Sequence, residues 1–153
     1  QAEAREAGFV DASIALCSER SGEPFKAPVA LMSSGENVVT VGKESGIGGR
    51  NQEYCIAAAT RISGNKNIVF GAVDTDGTDG PGGFKYPNAP NCLAGAVIDG
   101  YTVEEAKNAG IDLFSTLKNH GTSEAMWKLN CGVDAKSNVS ALDLRIVYIG
   151  DNE

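Results

Sequence analysis

Short apolar runs alternate with polar, glycine-rich stretches along the chain, and this pattern predicts interleaved strands and helices. Three runs rich in β-branched or other apolar residues predict buried or paired strands. They lie at residues 28–32, 38–41 and 67–73. Side chains at 143–149 alternate between two faces and predict a last strand. Near the start, a short helix that ends at Gly8 and an apolar region at 9–16 predict a helix followed by a strand.

The most regular helical pattern covers residues 51–63, where Tyr54, Ala58 and Ile62 recur at helical spacing. Four shorter helices are predicted in the second half of the chain, at 93–98, 102–109, 112–119 and 123–129. Strands that alternate with helices indicate the α/β class. We therefore expect one α/β domain with a mixed, mainly parallel sheet flanked by helices.

Composition narrows the class of protein. The chain has 153 residues, as expected for a single domain, and its 13 basic and 20 acidic residues give a net charge of −7. Without a basic cluster we expect no nucleic-acid partner. No apolar run approaches the roughly 20 residues of a membrane-spanning helix, so we expect no membrane partner. Four cysteines without a CxxC pair favour reduced thiols and a cytoplasmic location.

Glycines cluster at residues 42–49 and 71–83, which hold nine of the 19 in the chain. In the first cluster, Gly46, Gly48 and Gly49 precede Arg50 at the start of the predicted helix. Glycines can adopt a positive φ and aim N–H groups at one point, and a helix N-terminus attracts anions. Arg50 adds a planar cation that suits a phosphate or carboxylate. A glycine-rich turn with a surface arginine remains the alternative, because neither a Walker A loop nor a Rossmann fingerprint is present.

The second cluster is acidic and follows the strand at 67–73. Asp74, Asp76 and Asp79 lie within six residues, and such carboxylates repel one another unless a cation or hydrogen-bond donors neutralise them. Mg²⁺ with nucleotide phosphates is one candidate partner. A solvated turn, in which Asp and Gly are common, is the alternative.

Three further residues are weaker candidates. Glu36 lies in a turn after a strand, where it could support a ligand site. Asn138, in the polar loop before the last strand, suits a ligand donor or a turn equally well. His120 belongs to no recognisable triad and is more typical of a capping or surface residue.

Four segments, in this order, resemble the MOFRL domain, which is the C-terminal part of the glycerate 2-kinase family, also named hydroxypyruvate reductase. The most specific segment is Gly48-Gly49-Arg50-Asn51-Gln52-Glu53. The others are 28–36, which ends in Gly35-Glu36, the acidic turn 76–81, and Ala94-Gly95-Ala96-Val97-Ile98-Asp99. The resemblance implies a MOFRL-like domain at 28–153, preceded by a lead-in helix and strand at 1–27 from a longer protein.

The resemblance also implies a function. The family makes 2-phosphoglycerate from D-glycerate with ATP and Mg²⁺, in a cleft shared with an N-terminal domain of the same protein. It implies that Arg50 contacts the phosphoryl group or the substrate carboxylate, and that Gly46, Gly48 and Gly49 cradle oxygens. Asp76 and Asp79 would hold Mg²⁺ or order the phosphate site. Supporting roles would fall to Glu36, Asn51, Glu53 and Asn138.

This chain departs from the family pattern at two places near the expected site. The family's Thr-Gly-Pro-Thr-x-Thr-Asn-Val-x-Asp segment corresponds here to residues 131–141, where Asn138 and Val139 are kept but the threonines and the Asp are lost. Residues 82–91 also look inserted. A non-catalytic module that binds an anion or nucleotide is therefore the first alternative, and an oxidoreductase acting on hydroxypyruvate is the second. A homodimer is also expected if apolar surface lacks its partner domain. All of these interpretations need Arg50 and the acidic turn to face the same cleft.

Overall fold

The computed structural model describes residues 1–43, 45–136 and 139–151. Five helices and five strands are present in these ranges. The helices are α1 (Ala4–Ser21), α2 (Arg50–Ile62), α3 (Thr102–Asn108), α4 (Leu113–Lys118) and α5 (Thr122–Lys128). The strands are β1 (Val29–Gly35), β2 (Ile68–Asp74), β3 (Gly95–Asp99), β4 (Gly132–Val133) and β5 (Asp143–Ile149).

The strands form one sheet in the order β1-β5-β2-β3-β4, and every neighbouring pair is antiparallel. The prediction of a mainly parallel sheet is therefore wrong, although the α/β class is confirmed. The error has a simple origin. β1 and β2 do run in the same direction and are joined through α2, as in a βαβ unit. However, β5 comes from the far end of the chain, lies between them and pairs with both in the opposite direction.

Helix α2 is the centre of the core. Ten of its 13 residues are buried, because α1 packs on one side, the sheet on another and the short helices nearby. Small residues allow a close crossing of α1 over α2. A Cβ built on Gly8 would lie 2.3 Å from the Tyr54 carbonyl oxygen, so α1 could not sit at this distance with any larger residue.

Local structure differs from the sequence prediction in three segments. Residues 9–16 belong to α1 and not to a strand, because Ala4, Gly8, Ala12 and Ala15 recur at helical spacing and are buried. Segment 93–98, predicted as a helix, contributes β3 instead. Segment 38–41 is not a sheet strand, and Val38 makes only an isolated bridge to Glu3. The boundary between residues 27 and 28 stays a prediction.

The opposite face of the sheet is open. Alternation along β5 is confirmed: Val147 and Ile149 face the helices, while Ile146 and Tyr148 are 38% and 49% exposed. Met32 on β1, paired with Ile146, is 68% exposed. No helix in the described ranges is long and apolar enough to cross a membrane.

Candidate functional site

The site lies at the sheet edge where β1 and β2 end and β5 begins. The register places Gly35, Asp143 and Asp74 side by side across the three strands. The first turn of α2 lies at the same edge, because the loop after β1 leads directly into that helix. Side chains from four distant parts of the chain therefore meet at one point.

Arg50, the first residue of α2, binds the carboxylates at this edge. Its Nε and Nη2 atoms donate to the two oxygens of Asp143 at 2.7 and 2.9 Å, which is a bidentate contact. Nη2 also donates to Asp74 at 2.7 Å and to Glu36 at 3.3 Å. The two segments expected to converge, the start of α2 and the acidic turn after β2, are thus in direct contact.

The charges of this cluster do not cancel. Hydrogen bonding to Asp143 raises the pKa of Arg50 far above its ordinary value, although burial acts in the opposite direction. Burial raises the pKa of Asp74, and Arg50 only partly counters that effect. One guanidinium faces three carboxylates, so the cluster of Arg50, Glu36, Asp74 and Asp143 is acidic when all its members are ionised.

Asp79 has a different place from the one expected for a metal ligand. Its carboxylate is 1% exposed and accepts hydrogen bonds from the backbone N–H groups of Asn51 and Gln52, both at 3.0 Å. The two side-chain amides donate to the same oxygens at 3.2 and 3.0 Å. Asp79 therefore caps the N-terminus of α2 from a distant turn. Burial raises its pKa to about 6 against the effect of these donors.

Close packing explains the glycines before α2. A Cβ on Gly48 would lie 2.2 Å from Thr122 Oγ1, and one on Gly49 would lie 2.2 Å from the Asp79 carbonyl oxygen. A Cβ on Gly46 would lie 2.6 Å from the Cα atom of Gly121. None of these three glycines has a φ in the left-handed region, so the expected positive φ is wrong. Glycine is needed here because three loops meet at contact distance.

A pocket of about 470 Å³ opens beside this glycine loop. Gly46, Gly48, Gly49, Arg50 and Glu53 line it, so five of the predicted site residues share one cavity. The N–H group of Gly46 donates a hydrogen bond to the Asn119 carbonyl oxygen. By contrast, the N–H groups of Gly48 and Arg50 make no hydrogen bond to a described residue. Two open donors at a helix N-terminus suit an anionic group.

His120 also lines the pocket and pairs with Glu53. His120 Nδ1 lies 2.7 Å from Glu53 Oε1, and the two side chains are only 13% and 3% exposed. Burial raises the pKa of Glu53, and the contact with His120 opposes that shift. A carboxylate and an imidazole therefore line the same cavity as Gly48 and Arg50.

The remaining predicted residues are dispersed. Asp76 is at the rim of the acidic turn, where Thr78 donates to it from both its N–H and its hydroxyl group; these bonds lower the pKa of Asp76. Its backbone N–H donates to Asp74. Asn51 faces Asp79 and not the pocket. Asn138 lies outside the described residues. No group of three or more potential metal ligands occurs in the described part of the chain.

Sequence reasoning missed three residues of this site. Asp143 is predicted only as the start of a strand, yet it makes a bidentate contact with Arg50. The Asp that ends the family's segment has no counterpart at Ala141, and Asp143, two residues later, is the signal that identifies it. Gln52, which holds Asp79, lies inside the quoted motif. His120 had no sequence signal, because its partner is 67 residues away.

Comparison with known proteins assigns the chain to a family. Residues 29–139 match the MOFRL family. The chain is 37% identical to a glycerate 2-kinase from Pyrococcus horikoshii over 84% of its length, and this match spans 27% of the relative. It is 40% identical to D-glycerate 2-kinase from Thermotoga maritima over 82% of its length, or 28% of the relative. A putative hydroxypyruvate reductase from Agrobacterium vitis is 34% identical over 98% of this chain and 33% of its own length.

Solved structures agree with these matches. A crystal structure of glycerate kinase from Thermotoga maritima superimposes with a TM-score of 0.87 and 37% identity, covering 97% of this chain and 34% of that chain. A Pyrococcus horikoshii protein superimposes with a TM-score of 0.88 and 32% identity, covering 99% and 33%. The chain spans about a third or less of the curated relatives that it matches. The chain belongs to the MOFRL family.

Proposed function

We propose that this chain is the MOFRL portion of a glycerate 2-kinase-like enzyme that transfers a phosphoryl group from ATP to D-glycerate. One observation carries the proposal. Arg50, the glycine loop and the acidic turn converge on one pocket at the N-terminus of α2. Phosphoryl transfer depends on positioning and on electrostatic stabilisation more than on covalent chemistry, and these parts can supply both. The names of the Pyrococcus and Thermotoga relatives support the same activity.

Anion binding is proposed for the open backbone donors. Gly48 and Arg50 line the pocket and have N–H groups that are unused among the described residues. A phosphate or a substrate carboxylate would receive both bonds and the positive end of the α2 dipole. Arg50 would contribute less charge than an isolated arginine, because three carboxylates surround it. We therefore assign it mainly to holding Asp74, Asp143 and the helix start in place.

The described residues supply only part of a ligand set for Mg²⁺. Asp79 uses both carboxylate oxygens on α2, so we assign it to ordering the phosphate-binding turn. Asp76 and Glu36 are the accessible carboxylates, but they do not form a complete ligand set. Nucleotide-bound Mg²⁺ would therefore need ligands from the nucleotide, from water or from another part of the full-length protein.

A partner domain of the same protein is proposed to complete the site. The relatives are about three to four times as long as the portion matched here. The described residues that line the pocket include no lysine, whereas the family resemblance implies a lysine from the N-terminal domain. A homodimer and a cytoplasmic location stay predictions, and sedimentation analysis would test the first.

Assay of the full-length gene product would test the function. We expect ADP release that depends on both D-glycerate and ATP. Arg50→Lys keeps a charge but loses the planar fork that holds Asp74 and Asp143. We expect kcat to fall about 100-fold, because a displaced helix start would misplace the groups that line the pocket. Arg61→Lys, at an exposed position on the same helix, is the matched control and should retain full activity. Nucleotide binding by calorimetry without any turnover would instead support a non-catalytic module.

The second candidate is an oxidoreductase, favoured by the name of the Agrobacterium vitis relatives. The same preparation should be tested for oxidation of NADH by hydroxypyruvate. Activity in that assay, without phosphorylation of glycerate, would overturn the proposed kinase.

A further inference from the structure

The paired Glu53 and His120 are unused by the function proposed above. Glu53 is fixed on α2, and His120 lies in the turn between α4 and α5. Both line the pocket that Gly48 and Arg50 also line. Glu53 is 2% exposed, and a buried carboxylate needs a partner. The contact with Nδ1 at 2.7 Å provides that partner and holds the imidazole ring in one orientation.

The contact also selects the tautomer of His120. A carboxylate on Nδ1 favours a proton on that nitrogen, because the ionised oxygen can only accept a hydrogen bond. The second ring nitrogen, Nε2, then has a free lone pair. Nε2 makes no hydrogen bond to any residue that the structure describes. An imidazole oriented in this way by a carboxylate is the usual arrangement of a general base.

We propose that His120 is the general base that accepts the hydroxyl proton of the phosphoryl acceptor, with Glu53 as its positioning residue. This inference rests on the proposed kinase function and adds to it the residue that activates the acceptor. The acceptor class is a small hydroxy acid: its carboxylate would bind the N–H groups of Gly48 and Arg50, while its hydroxyl group faces His120.

The acceptor oxygen forms a bond to the γ-phosphorus of a nucleoside triphosphate, and its proton moves to Nε2 of His120. The bond between the γ-phosphorus and the β,γ-bridging oxygen breaks, and the nucleoside diphosphate leaves with that electron pair. The imidazolium that results is stabilised by Glu53, which keeps the bond to Nδ1 throughout.

Several charged groups lie around His120. Glu53 faces it from α2 and Arg50 lines the same pocket. From the N-terminal segment, Glu3 acts on both His120 and Glu53, and Arg5 acts on Glu53. We expect kcat to fall toward acid pH, because a protonated imidazole cannot accept the proton.

The backbone conformation of His120 allows a clean test. Its φ is 55°, in the left-handed region where glycine is favoured, so His120→Gly removes the ring without straining the turn. Asn130 has a φ of 53° and is exposed in the turn after α5. Asn130→Gly therefore makes the same kind of backbone change outside the pocket, and it is the matched control.

We expect His120→Gly in the full-length gene product to lower kcat by about 10²–10⁴-fold, the usual contribution of a general base. The KM for ATP should stay within about twofold, because that role concerns the acceptor. Added imidazole should restore a measurable part of the kcat of this variant. Without imidazole, the kcat that remains in the variant should no longer fall toward acid pH. Glu53→Gln should lower kcat less than His120→Gly does, because an amide still contacts the ring. It should also shift the pH at which kcat falls, because the amide carries no charge.

Different failures separate the two proposals. If the unmodified protein phosphorylates glycerate but His120→Gly behaves like Asn130→Gly, the general base is wrong and the kinase stands. His120 would have a purely structural role if His120→Gly lost activity that added imidazole did not restore, and if kcat of the variant still fell toward acid pH. Absence of any phosphorylation by the unmodified protein would overturn the kinase function and the general base together.

Discussion

Removal of Arg50 tests the electrostatic design of the sheet edge most directly. Arg50 makes three short hydrogen bonds, at 2.7, 2.7 and 2.9 Å, to Asp74 and Asp143. The two carboxylate side chains are only 9% and 1% exposed, and the strand register places them next to each other. Arg50→Ala would leave both of them buried without a cation.

The expected loss of stability is large. Deleting one partner of a buried ion pair costs about 3–5 kcal/mol, mostly because the remaining charge is uncompensated. For a domain of this size, such a change lowers Tm by about 6–20 °C, since each kcal/mol corresponds to about 2–4 °C. Arg61→Ala, at an exposed position on the same helix, should change the free energy of unfolding by less than about 0.5 kcal/mol.

The loss should also depend on pH. Burial raises the pKa of Asp74 and Arg50 opposes that shift, so Arg50→Ala raises this pKa further. A carboxyl group with a raised pKa in the folded state takes up its proton at higher pH than in the unfolded chain. The free energy of unfolding of the variant therefore falls as pH rises above the ordinary carboxyl range, and the deficit should be smaller at pH 4.5 than at pH 7.

Urea denaturation at these two pH values, with both variants and the unmodified chain, would measure the effect. The reasoning is refuted if Arg50→Ala is no less stable than Arg61→Ala, or if its deficit is the same at both pH values. A deficit that is independent of pH would mean that Arg50 stabilises this edge by packing alone.

Three other substitutions test other parts of the site and its support. Asp79→Ala removes the cap of α2 and leaves buried donors unpaired, so we expect the free energy of unfolding, measured by chemical denaturation, to fall by about 2–4 kcal/mol. Asp79→Asn keeps one acceptor oxygen and should lose less stability. Equal losses in the two variants would contradict the capping role. Gly48→Ala should lower stability by about 1–3 kcal/mol in a thermal melt, because the added Cβ overpacks against Thr122. Gly42→Ala is the control and should be neutral in the same melt, because nothing lies within 4 Å of its Cβ. Tyr54→Phe removes the hydrogen bond to the Asp11 carboxylate at 2.8 Å and should cost about 1 kcal/mol; an unchanged free energy of unfolding would show that this bond is replaced by water.

Local pattern predicted most of the individual elements. The β-branched runs became β1 and β2, the helical spacing after Arg50 became α2, and the alternation at 143–149 became β5. Each of these signals depends on residues within one or two turns of the chain or within one strand. The ordered motifs were also sufficient to identify the family, because they are read directly from adjacent residues.

Only the tertiary structure decided which of these residues meet. Arg50 and Asp143 are 93 residues apart, Glu53 and His120 are 67 apart, and Asp79 is 28 residues from Asn51 in the helix turn that it caps. The contact of Arg50 with Asp143 follows from the insertion of β5 between β1 and β2, and the other two follow from the packing of distant turns against α2. No local periodicity encodes any of these long-range contacts. The amino-acid sequence by itself therefore determined the elements and the family. The strand order placed Asp143 beside Asp74 and so determined the charge balance of Arg50, while the packing of the α4–α5 turn against α2 placed an imidazole in the pocket.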